Sequence, residues 1–461
     1  MINVILVFIL KLKETMRNVF NPMLVLFLLM NSVNSFSQQK ETLPFPLDFS
    51  AREKQIAIEQ SKLIQPPILD NFDLKYHRFN WIIDPAIRYI SGSVTSYFVA
   101  TQTQMNIIQF QLGAGMSADS ALFERKMTQV IHTGNVISIS LSRIIHKGEL
   151  DSLTIYYHGV PTSTGFGSFT TSIHNGVPSM STLSQPYGAS DWWPSKNDLT
   201  DKIDSIDVFV MMPKGNHAAS NGLLVSEKPW GTNSTIAHWK HRYPIVSYLI
   251  AVAVTNYARY TDYYKAGTDS IPILNYVYPE DSVELRPTTS DVVKTMALFE
   301  KLFSPYPFKK EKYGHAECNM QGGMEHQTMT FLEKKSFAPY VFTHELAHHW
   351  FGDMITCGSW EDIWLNEGFA TYCEGLSYEF LHSNDTWNNW INAMLSTVVS
   401  NNQGSVFCND TTSVGRIFSS SLSYKKGAFL LVMLRGILGD KDFFQAIKNY
   451  LVSARKLTVF I

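Results

Sequence analysis

Two histidines and two glutamates in the second half of the chain have the spacing of a metal-dependent hydrolytic site. His344, Glu345 and His348 lie in the segment HELAH, and eighteen residues separate His348 from Glu367. Because residues four apart share one face of a helix, the two histidines can direct their imidazoles at one ion. A catalytic zinc ion usually takes three protein ligands, and Glu367 supplies the third from a second helical segment. The pattern predicts one Zn²⁺ per chain, with Glu345 free to act as general base.

The glutamate beyond the histidines argues against a chance match. A surface helix can contain HExxH by accident, but here Glu367 lies in the run NEGFA at residues 366–370. This arrangement resembles the zinc-binding pattern of the M1 family of zinc aminopeptidases, in the gluzincin group. The resemblance implies that His344, His348 and Glu367 hold the zinc. It also implies that Glu345 is the general base for a zinc-activated water.

A glycine-rich segment upstream of the histidines resembles a second motif of this family. Residues 322–326 have the sequence GGMEH, which is similar to the GxMEN exopeptidase motif. The resemblance implies that Glu325 pairs with the α-ammonium group of a peptide. Two adjacent glycines also let a substrate backbone approach closely, as in strand-like pairing. The residues implied in substrate binding here are Gly322, Gly323, Met324 and Glu325.

Two further segments resemble the family near the ends of the matched region. Residues 424–428, YKKGA, are similar to its YxKGA segment, which implies that Tyr424 is catalytic and donates to the oxyanion. Because the chain contains 21 tyrosines, the Lys-Gly-Ala context is what singles this one out. Residues 185–189, QPYGA, are a weaker match and imply that Gln185 helps to fix the N-terminal end of the substrate.

Four positions depart from the family pattern. His326 stands where the family more often has Asn, and Ser195, Asn197 and Leu199 replace an expected Cys, Asp and Pro. None of the four is a predicted metal ligand. They weaken the match around Gln185 more than the match of the zinc site.

The composition is that of a globular protein with a large core. Of the 461 residues, 45% are hydrophobic and 17% are charged. Because 461 residues are too many for one ordinary domain, two or three domains are expected. The formal net charge of −2 offers no basic field for nucleic acid, and no nucleic-acid partner is expected. The cysteines are too few and too scattered for a disulfide framework, and we expect small buried residues. They are Cys318, Cys357, Cys373 and Cys408.

The periodicity changes near residue 270 and predicts an α+β multidomain chain. Short alternating runs before that point predict strands, and helical spacing dominates after it. We expect an N-terminal antiparallel β domain at 38–270, followed by a mixed α/β catalytic domain at 271–461. The resemblance implies a saddle-like shape for the first and a thermolysin-like fold for the second. The predicted strands include 104–112, 136–141, 152–158 and 205–212, and the predicted helices 339–351, 363–381, 388–399 and 427–450. Residues 288–291 offer an N-cap and capping box for a helix that follows.

The N-terminus is typical of a secretory signal peptide. Met16 and Arg17 precede an apolar run at 23–30, and Ser35 and Ser37 are small residues suited to a cleavage site. We expect a signal peptide at 1–37, with Met16 as an alternative start, and export to the periplasm, cell surface or medium. The apolar runs are too short to span a bilayer comfortably, so no stable membrane span is expected.

The leading interpretation is a zinc-dependent aminopeptidase acting on peptides with a free N-terminus. Only 37 residues follow Tyr424, whereas family members continue with further helices and usually another domain, so we expect a C-terminally truncated catalytic domain. One alternative is an endopeptidase or an epoxide-opening relative, although Glu325 and Gln185 argue against a plain endopeptidase. Another is a non-catalytic fragment that binds zinc or peptide. The sequence predicts neither the preferred first residue nor the oligomeric state.

Overall fold

The computed structural model describes residues 63–401 and 403–453. All of these belong to one compact unit, Asp48–Ile461. The predicted signal peptide at 1–37, including Met16, lies outside the described residues, and so does the segment 454–461. Within the described ranges, no helix combines the length and the apolar character needed to cross a bilayer.

The first part of the described chain folds into three β-sheets. Alternating burial builds them: in one central strand Leu153, Ile155 and Tyr157 face the core, while Tyr156 between them is exposed. The strands are β1 Phe72–Ile83, β2 Ile90–Ala100, β3 Gln104–Gln111, β4 Met116–Phe123, β5 Lys126–Thr128, β6 Val130–Thr133, β7 Val136–His146, β8 Leu150–Gly159, β9 Ser168–His174, β10 Val177–Leu183, β11 Ser205–Pro213, β12 His217–Ser220, β13 Leu223–Trp230, β14 Ser234–His241 and β15 Val252–Thr255. The sheet orders are β13-β14-β11-β1-β2-β8-β4-β5, β12-β15-β10-β9 and β3-β7-β6.

The prediction of a β domain followed by a helical catalytic part is confirmed, with one local exception to its antiparallel pairing. Among the strand pairs described in these three sheets, β1 and β11 run parallel, with Tyr76 opposite Ser205. The predicted strands at 104–112, 136–141, 152–158 and 205–212 occur as β3, β7, β8 and β11. Parallel neighbours far apart in sequence leave no local signal, so alternation alone predicts the strands but not this pairing.

A fourth sheet leads into the catalytic part. Its strands are β16 Ala258–Ala266, β17 Asp269–Val277, β18 Tyr313–Glu317, β19 Gly323–Met324 and β20 Thr330–Leu332, in the order β16-β17-β18-β20-β19. The hairpin of β16 and β17 straddles the boundary expected between 270 and 271, and that boundary stays a prediction. Strand β19 pairs with β20 and forms one edge of the sheet.

Two helices lie between β17 and β18 in the chain, and the other helices follow β20. They are α1 Ser282–Leu285, α2 Asp291–Leu302, α3 Pro339–His348, α4 Trp364–Leu381, α5 Asn384–Ser400, α6 Val414–Ile417, α7 Gly427–Leu438 and α8 Asp440–Ser453, with a π-helical segment at Ser420–Lys426. Short 3₁₀ turns lie at Gly188–Asp191, Ser247–Leu249, Thr288–Ser290, Lys334–Ser336 and Trp360–Asp362. The single helix predicted at 427–450 is wrong, because Gly439 adopts φ +74° and separates α7 from α8.

The capping box predicted at 288–291 is also wrong. Ser290 precedes α2 but has helical dihedral angles, because it continues the 3₁₀ turn before the helix. Its hydroxyl donates back to the carbonyl oxygen of Pro287 at 2.8 Å rather than accepting from α2.

All four cysteines are buried, as expected.

Candidate active site

Helix α3 carries the HExxH motif through the interior of the catalytic part. Pro339 occupies the start of the helix, where its missing N–H costs nothing. The residues from Val341 to His348 are all buried, and α3 packs against α4 and α2. Because the helix is enclosed, its polar side chains must find partners inside the protein.

His344, His348 and Glu367 converge on one point. The two Nε2 atoms are 3.1 Å apart, and Glu367 Oε2 lies 3.5 Å from His344 Nε2 and 3.3 Å from His348 Nε2. Four ligands placed tetrahedrally at 2.0–2.1 Å from a zinc ion are about 3.3 Å from one another. The three ligand atoms therefore fit a tetrahedral zinc site with one position left over.

The other ring nitrogen of each histidine is already engaged. His344 Nδ1 is 2.7 Å from Glu374 Oε1, and His348 Nδ1 is 3.1 Å from the carbonyl oxygen of Phe351. Both acceptors favour a proton on Nδ1, which leaves the Nε2 lone pairs free for a metal. Sequence reasoning missed Glu374, although it follows Glu367 by seven residues, two turns along the same face of α4.

Burial and mutual charge shift the pKa values of these groups. Burial lowers the pKa of the two histidines, but the surrounding carboxylates outweigh it, holding that of His344 well above its usual value and raising that of His348 to about 9. For Glu367 burial has the opposite effect and raises the pKa, but the charges and hydrogen bonds of His348 and His344 outweigh it and lower the pKa to about 2. The metal-free cluster therefore holds protons that a cation must displace.

Glu345 lies between the metal-binding face and the edge strand. It is fully enclosed, and burial raises the pKa of its carboxyl group to about 8. A Cβ atom on Gly323 would overlap the Glu345 carboxylate, so β19 runs directly against this side chain. A backbone bound along β19 would consequently lie close to Glu345.

Glu325 and Gln185 meet from distant parts of the chain. Gln185 Nε2 donates to Glu325 Oε1 at 3.1 Å, and both side chains are buried. Gln185 follows Ser184, whose hydroxyl accepts from the indole of Trp192 at 2.9 Å. Burial raises the pKa of Glu325, and the charges of His348 and His344 offset this only in part.

Two of the residues that depart from the family pattern, Asn197 and His326, pack in this region. Asn197 Nδ2 donates to the carbonyl oxygen of Tyr187 at 3.0 Å and to Ser190 Oγ at 3.1 Å, and so supports the segment after Gln185. His326 is buried and packs edge-on against Phe331, with 4.4 Å between the ring centroids. Burial lowers the pKa of His326 to about 3, so its ring is neutral.

Tyr424 lies in the π-helical segment beside the cluster. Its ring is nearly parallel to that of His344, at 13°, with 6.0 Å between centroids. The chain then enters α7, where Gly427 packs against Gly368 of α4 so closely that a Cβ on Gly427 would be 3.0 Å from Gly368 Cα. The glycine after the two lysines thus brings the tyrosine segment onto the helix that carries Glu367.

His349 does not join the cluster. It is buried on another face of the chain, with Nδ1 2.9 Å from the hydroxyl of Tyr306. Its burial and this contact with Tyr306 make His349 a packing residue. Of the other predicted site residues, Gly323 lies against the Glu345 carboxylate, Met324 is buried in β19, and Gly322 adopts φ +84° just before that strand.

Comparison with known proteins gives this arrangement a family context. Residues 288–459 match the family described as Peptidase family M1 domain. The chain is 31% identical to an aminopeptidase N of Lactobacillus delbrueckii subsp. lactis over 242 residues, 47% of this chain and 28% of that protein. It is 30% identical to aminopeptidase M1-A of Oryza sativa subsp. japonica over 269 residues, 53% of this chain and 30% of that protein. The matches thus span less than a third of the length of these relatives.

Solved structures share the fold over most of their length. An M1 zinc metallopeptidase from Deinococcus radiodurans superimposes with a TM-score of 0.74 at 24% identity, covering 87% of this chain and 91% of that one. A variant of it bound to a Tyr-Ser-Ala substrate gives the same TM-score at 23% identity, covering 86% and 90%. Residues 288–459 therefore constitute a peptidase family M1 domain, carried by a chain with the fold of the M1 zinc metallopeptidases.

Proposed function

We propose that this chain is a zinc-dependent aminopeptidase that releases single residues from the free N-terminus of peptides. The observation that carries the proposal is the pairing of Glu325 with Gln185 beside the cluster of His344, His348 and Glu367. The names of the relatives, aminopeptidase N and aminopeptidase M1-A, support the same activity. The tripeptide bound to the variant of the structural neighbour supports a peptide substrate.

Substrate binding begins at the α-ammonium group. Glu325 is a buried carboxylate, and an ammonium group placed beside it restores the charge balance that burial disturbs. Gln185 Nε2 already donates to this carboxylate, so its amide oxygen remains to accept from the ammonium. An N-acetylated peptide lacks the cation and buries an amide there, which removes the partner of Glu325.

The peptide backbone then extends along the edge strand. Strand β19 pairs with β20 on one side, and its other side is an edge to which an extended peptide can add. Because Glu345 lies against Gly323, this register brings the first peptide bond close to the general base. His344, His348 and Glu367 would hold the metal at the same place.

Bond cleavage uses Glu345 and Tyr424. A zinc ion bound here supplies Lewis-acid chemistry, which polarises a carbonyl group and makes water nucleophilic near neutral pH. Glu345 accepts a proton from the attacking water and later delivers it to the leaving amine. The Tyr424 hydroxyl donates to the oxyanion that forms from the scissile carbonyl. The raised pKa of Glu345 would fall with a dication bound at His344, His348 and Glu367, which would favour the basic form of this carboxyl group.

The test compares free and blocked substrates. Full-length protein loaded with zinc is assayed with aminoacyl-coumarin amides and with their N-acetylated forms, with and without a chelator. Chelator-sensitive cleavage of the free-amine forms alone supports the proposal. Equal cleavage of both forms contradicts the role of Glu325 and favours the endopeptidase alternative. Stoichiometric zinc with no cleavage favours the non-catalytic alternative.

We also propose that the protein is exported through the signal peptide predicted at 1–37. The apolar run at 23–30 and the small residues Ser35 and Ser37 support this. N-terminal sequencing of the mature protein from a fractionated culture tests it. A mature chain that begins at Gln38 in the exported fraction supports the proposal, and an uncleaved cytoplasmic chain contradicts it.

A further inference from the structure

The turn at residues 351–355, which follows helix α3, holds one of the two candidate metal-binding histidines. His348 Nδ1 lies 3.1 Å from the carbonyl oxygen of Phe351, and a Cβ atom on Gly352 would be 3.2 Å from the same nitrogen. The backbone N–H of Asp353 donates to the carbonyl oxygen of His348 at 2.9 Å. The 351–355 turn therefore closes the end of α3 and packs directly against the His348 ring.

A lysine from the β domain binds two carbonyl groups of this turn. Lys202 Nζ donates to the carbonyl oxygen of Asp353 at 2.9 Å and to that of Met354 at 3.1 Å. The backbone beside this lysine is itself fixed, because Ile203 and Ile245 exchange two hydrogen bonds, at 2.9 and 3.0 Å. Lys202 therefore joins the β domain to the segment that carries the acceptor for His348.

The charge of Lys202 strengthens these two hydrogen bonds. Burial lowers the pKa of Lys202 to about 8, so that the ammonium form still predominates at pH 7. Hydrogen bonds from an ionised donor are about twice as strong as those between neutral groups. A cation is also favourable beside the carbonyl groups at the C-terminal end of a helix. Both effects favour the contact of Lys202 with the 351–355 turn.

We propose that Lys202 is a positioning residue for the metal site: by binding the carbonyl oxygens of Asp353 and Met354, it keeps the Phe351 carbonyl in place as the acceptor for His348 Nδ1. The inference rests on the candidate zinc site of the proposed function and adds a residue from the other domain to it. Partners that orient a ligating histidine typically contribute about 10–100-fold to metal affinity. Because Lys202 acts through the backbone of the turn, we expect an effect at the lower end of that range.

A neighbouring cavity makes this role accessible to chemical rescue. The cavity has a volume of about 790 Å³, and its walls include Lys202, Tyr306, Lys310 and Met354. Lys202→Ala extends the cavity towards the two carbonyl oxygens that lose their donor. A small alkylammonium ion can enter there and donate in place of the missing side chain.

The experiment measures zinc dissociation constants at pH 7 by competition with a chromophoric chelator. We expect Lys202→Ala to raise the constant about tenfold, and excess ethylammonium to restore it to within about threefold of the wild type in the same salt. Tetramethylammonium, a cation without N–H donors, should not restore it. Lys202→Met keeps the length of the side chain and fills the space, so it should lose affinity without being rescued. Lys310→Met removes another ammonium group from the same cavity and is the matched control, which should bind zinc as the wild type does.

Each possible result decides the inference. Zinc affinity of folded Lys202→Ala or Lys202→Met within about twofold of the wild type overturns it. A loss that ethylammonium leaves unchanged, or that tetramethylammonium restores equally, assigns Lys202 a general structural role and also overturns it. If Lys202→Ala does not fold, as judged by urea unfolding of the metal-free protein, Lys202→Met against Lys310→Met decides the question.

Failure of the inference and failure of the proposed function give different results. A wild type that binds stoichiometric zinc but cleaves no peptide contradicts the proposed function, while the affinities of the Lys202 variants still decide the inference. A wild type that binds no zinc overturns the candidate metal site and the inference together. Cleavage by the wild type with zinc affinity unchanged in both Lys202 variants overturns the inference alone.

Discussion

Replacing Glu374 should weaken zinc binding although this residue does not contact the metal position. Its Oε1 lies 2.7 Å from His344 Nδ1 and holds the proton there, so that Nε2 is free for the ion. A hydrogen bond to a charged group contributes about 1.5–3 kcal/mol, and 1.4 kcal/mol is a factor of ten in an equilibrium constant. Because the Glu374 side chain is 22% exposed, the lower half of that range applies. We expect Glu374→Ala to raise the zinc dissociation constant by about 10–30-fold.

The contribution of the Glu374 charge to zinc affinity can be measured separately from that of its hydrogen bond to His344. Glu374→Gln keeps an acceptor for His344 Nδ1 but loses the charge, and charge-assisted bonds are about twice as strong as neutral ones. We expect this variant to lose about three- to fivefold in zinc affinity. Competition with a chromophoric chelator at fixed pH measures both constants. Glu361→Gln, an exposed carboxylate before α4, is the matched control and should bind zinc as the wild type does. A zinc affinity of folded Glu374→Ala within about twofold of the wild type would refute this reasoning.

Four further changes test other parts of the site. Glu345→Gln should keep stoichiometric zinc, measured by metal analysis, yet lose most turnover, because it removes the proposed base and leaves the three proposed ligands. Tyr424→Phe should lower kcat by about 10²–10³ with little change in KM, measured by steady-state kinetics, because in the proposed mechanism its hydroxyl donates to the oxyanion. Zinc affinity should fall as pH is lowered below about 9, because the proton that His348 then holds in the metal-free site competes with the ion, and titration at pH 6, 7 and 8 measures this. Gly427→Ala should lower the free energy of unfolding by about 1–3 kcal/mol in urea, because its Cβ would crowd Gly368.

Each of these has an outcome that contradicts it. Loss of zinc from Glu345→Gln would mean that this residue shapes the metal site, and a rise in KM alone for Tyr424→Phe would assign the hydroxyl to substrate binding. A pH-independent zinc affinity would contradict proton competition at His348. Gly436→Ala is the control for Gly427→Ala: it lies in the same helix with open space around it, and should be neutral or slightly stabilising.

Local patterns predicted most of the architecture and the metal cluster. Alternation identified strands such as β8, and the spacing of His344, His348 and Glu367 identified three side chains that the structure brings together. The strand prediction depends on periodicity within one element. The prediction of the metal cluster depends on the helical spacing of its histidines and on a motif that fixes the distance to Glu367.

The features that sequence reasoning missed depend on contacts between distant segments or on dihedral angles. The parallel pairing of β1 with β11 joins strands more than a hundred residues apart. Glu374 becomes relevant only when α3 and α4 are packed together. The predicted cap at Ser290 failed because the preceding turn had already imposed helical angles, and the helix break at Gly439 depends on a left-handed conformation.

The hydrogen bond between Gln185 and Glu325 allows metal binding to be separated from the proposed recognition of the substrate's N-terminus. The three candidate metal ligands come entirely from α3 and α4, whereas the two side chains proposed to bind the end of the substrate are 140 residues apart in sequence. A substitution that displaces Gln185, in the segment after β10, would therefore leave metal binding intact. It would weaken the proposed recognition of the peptide's N-terminus. On the proposed function, such a protein would still hydrolyse peptides, but it would no longer distinguish the terminus of a peptide from its middle.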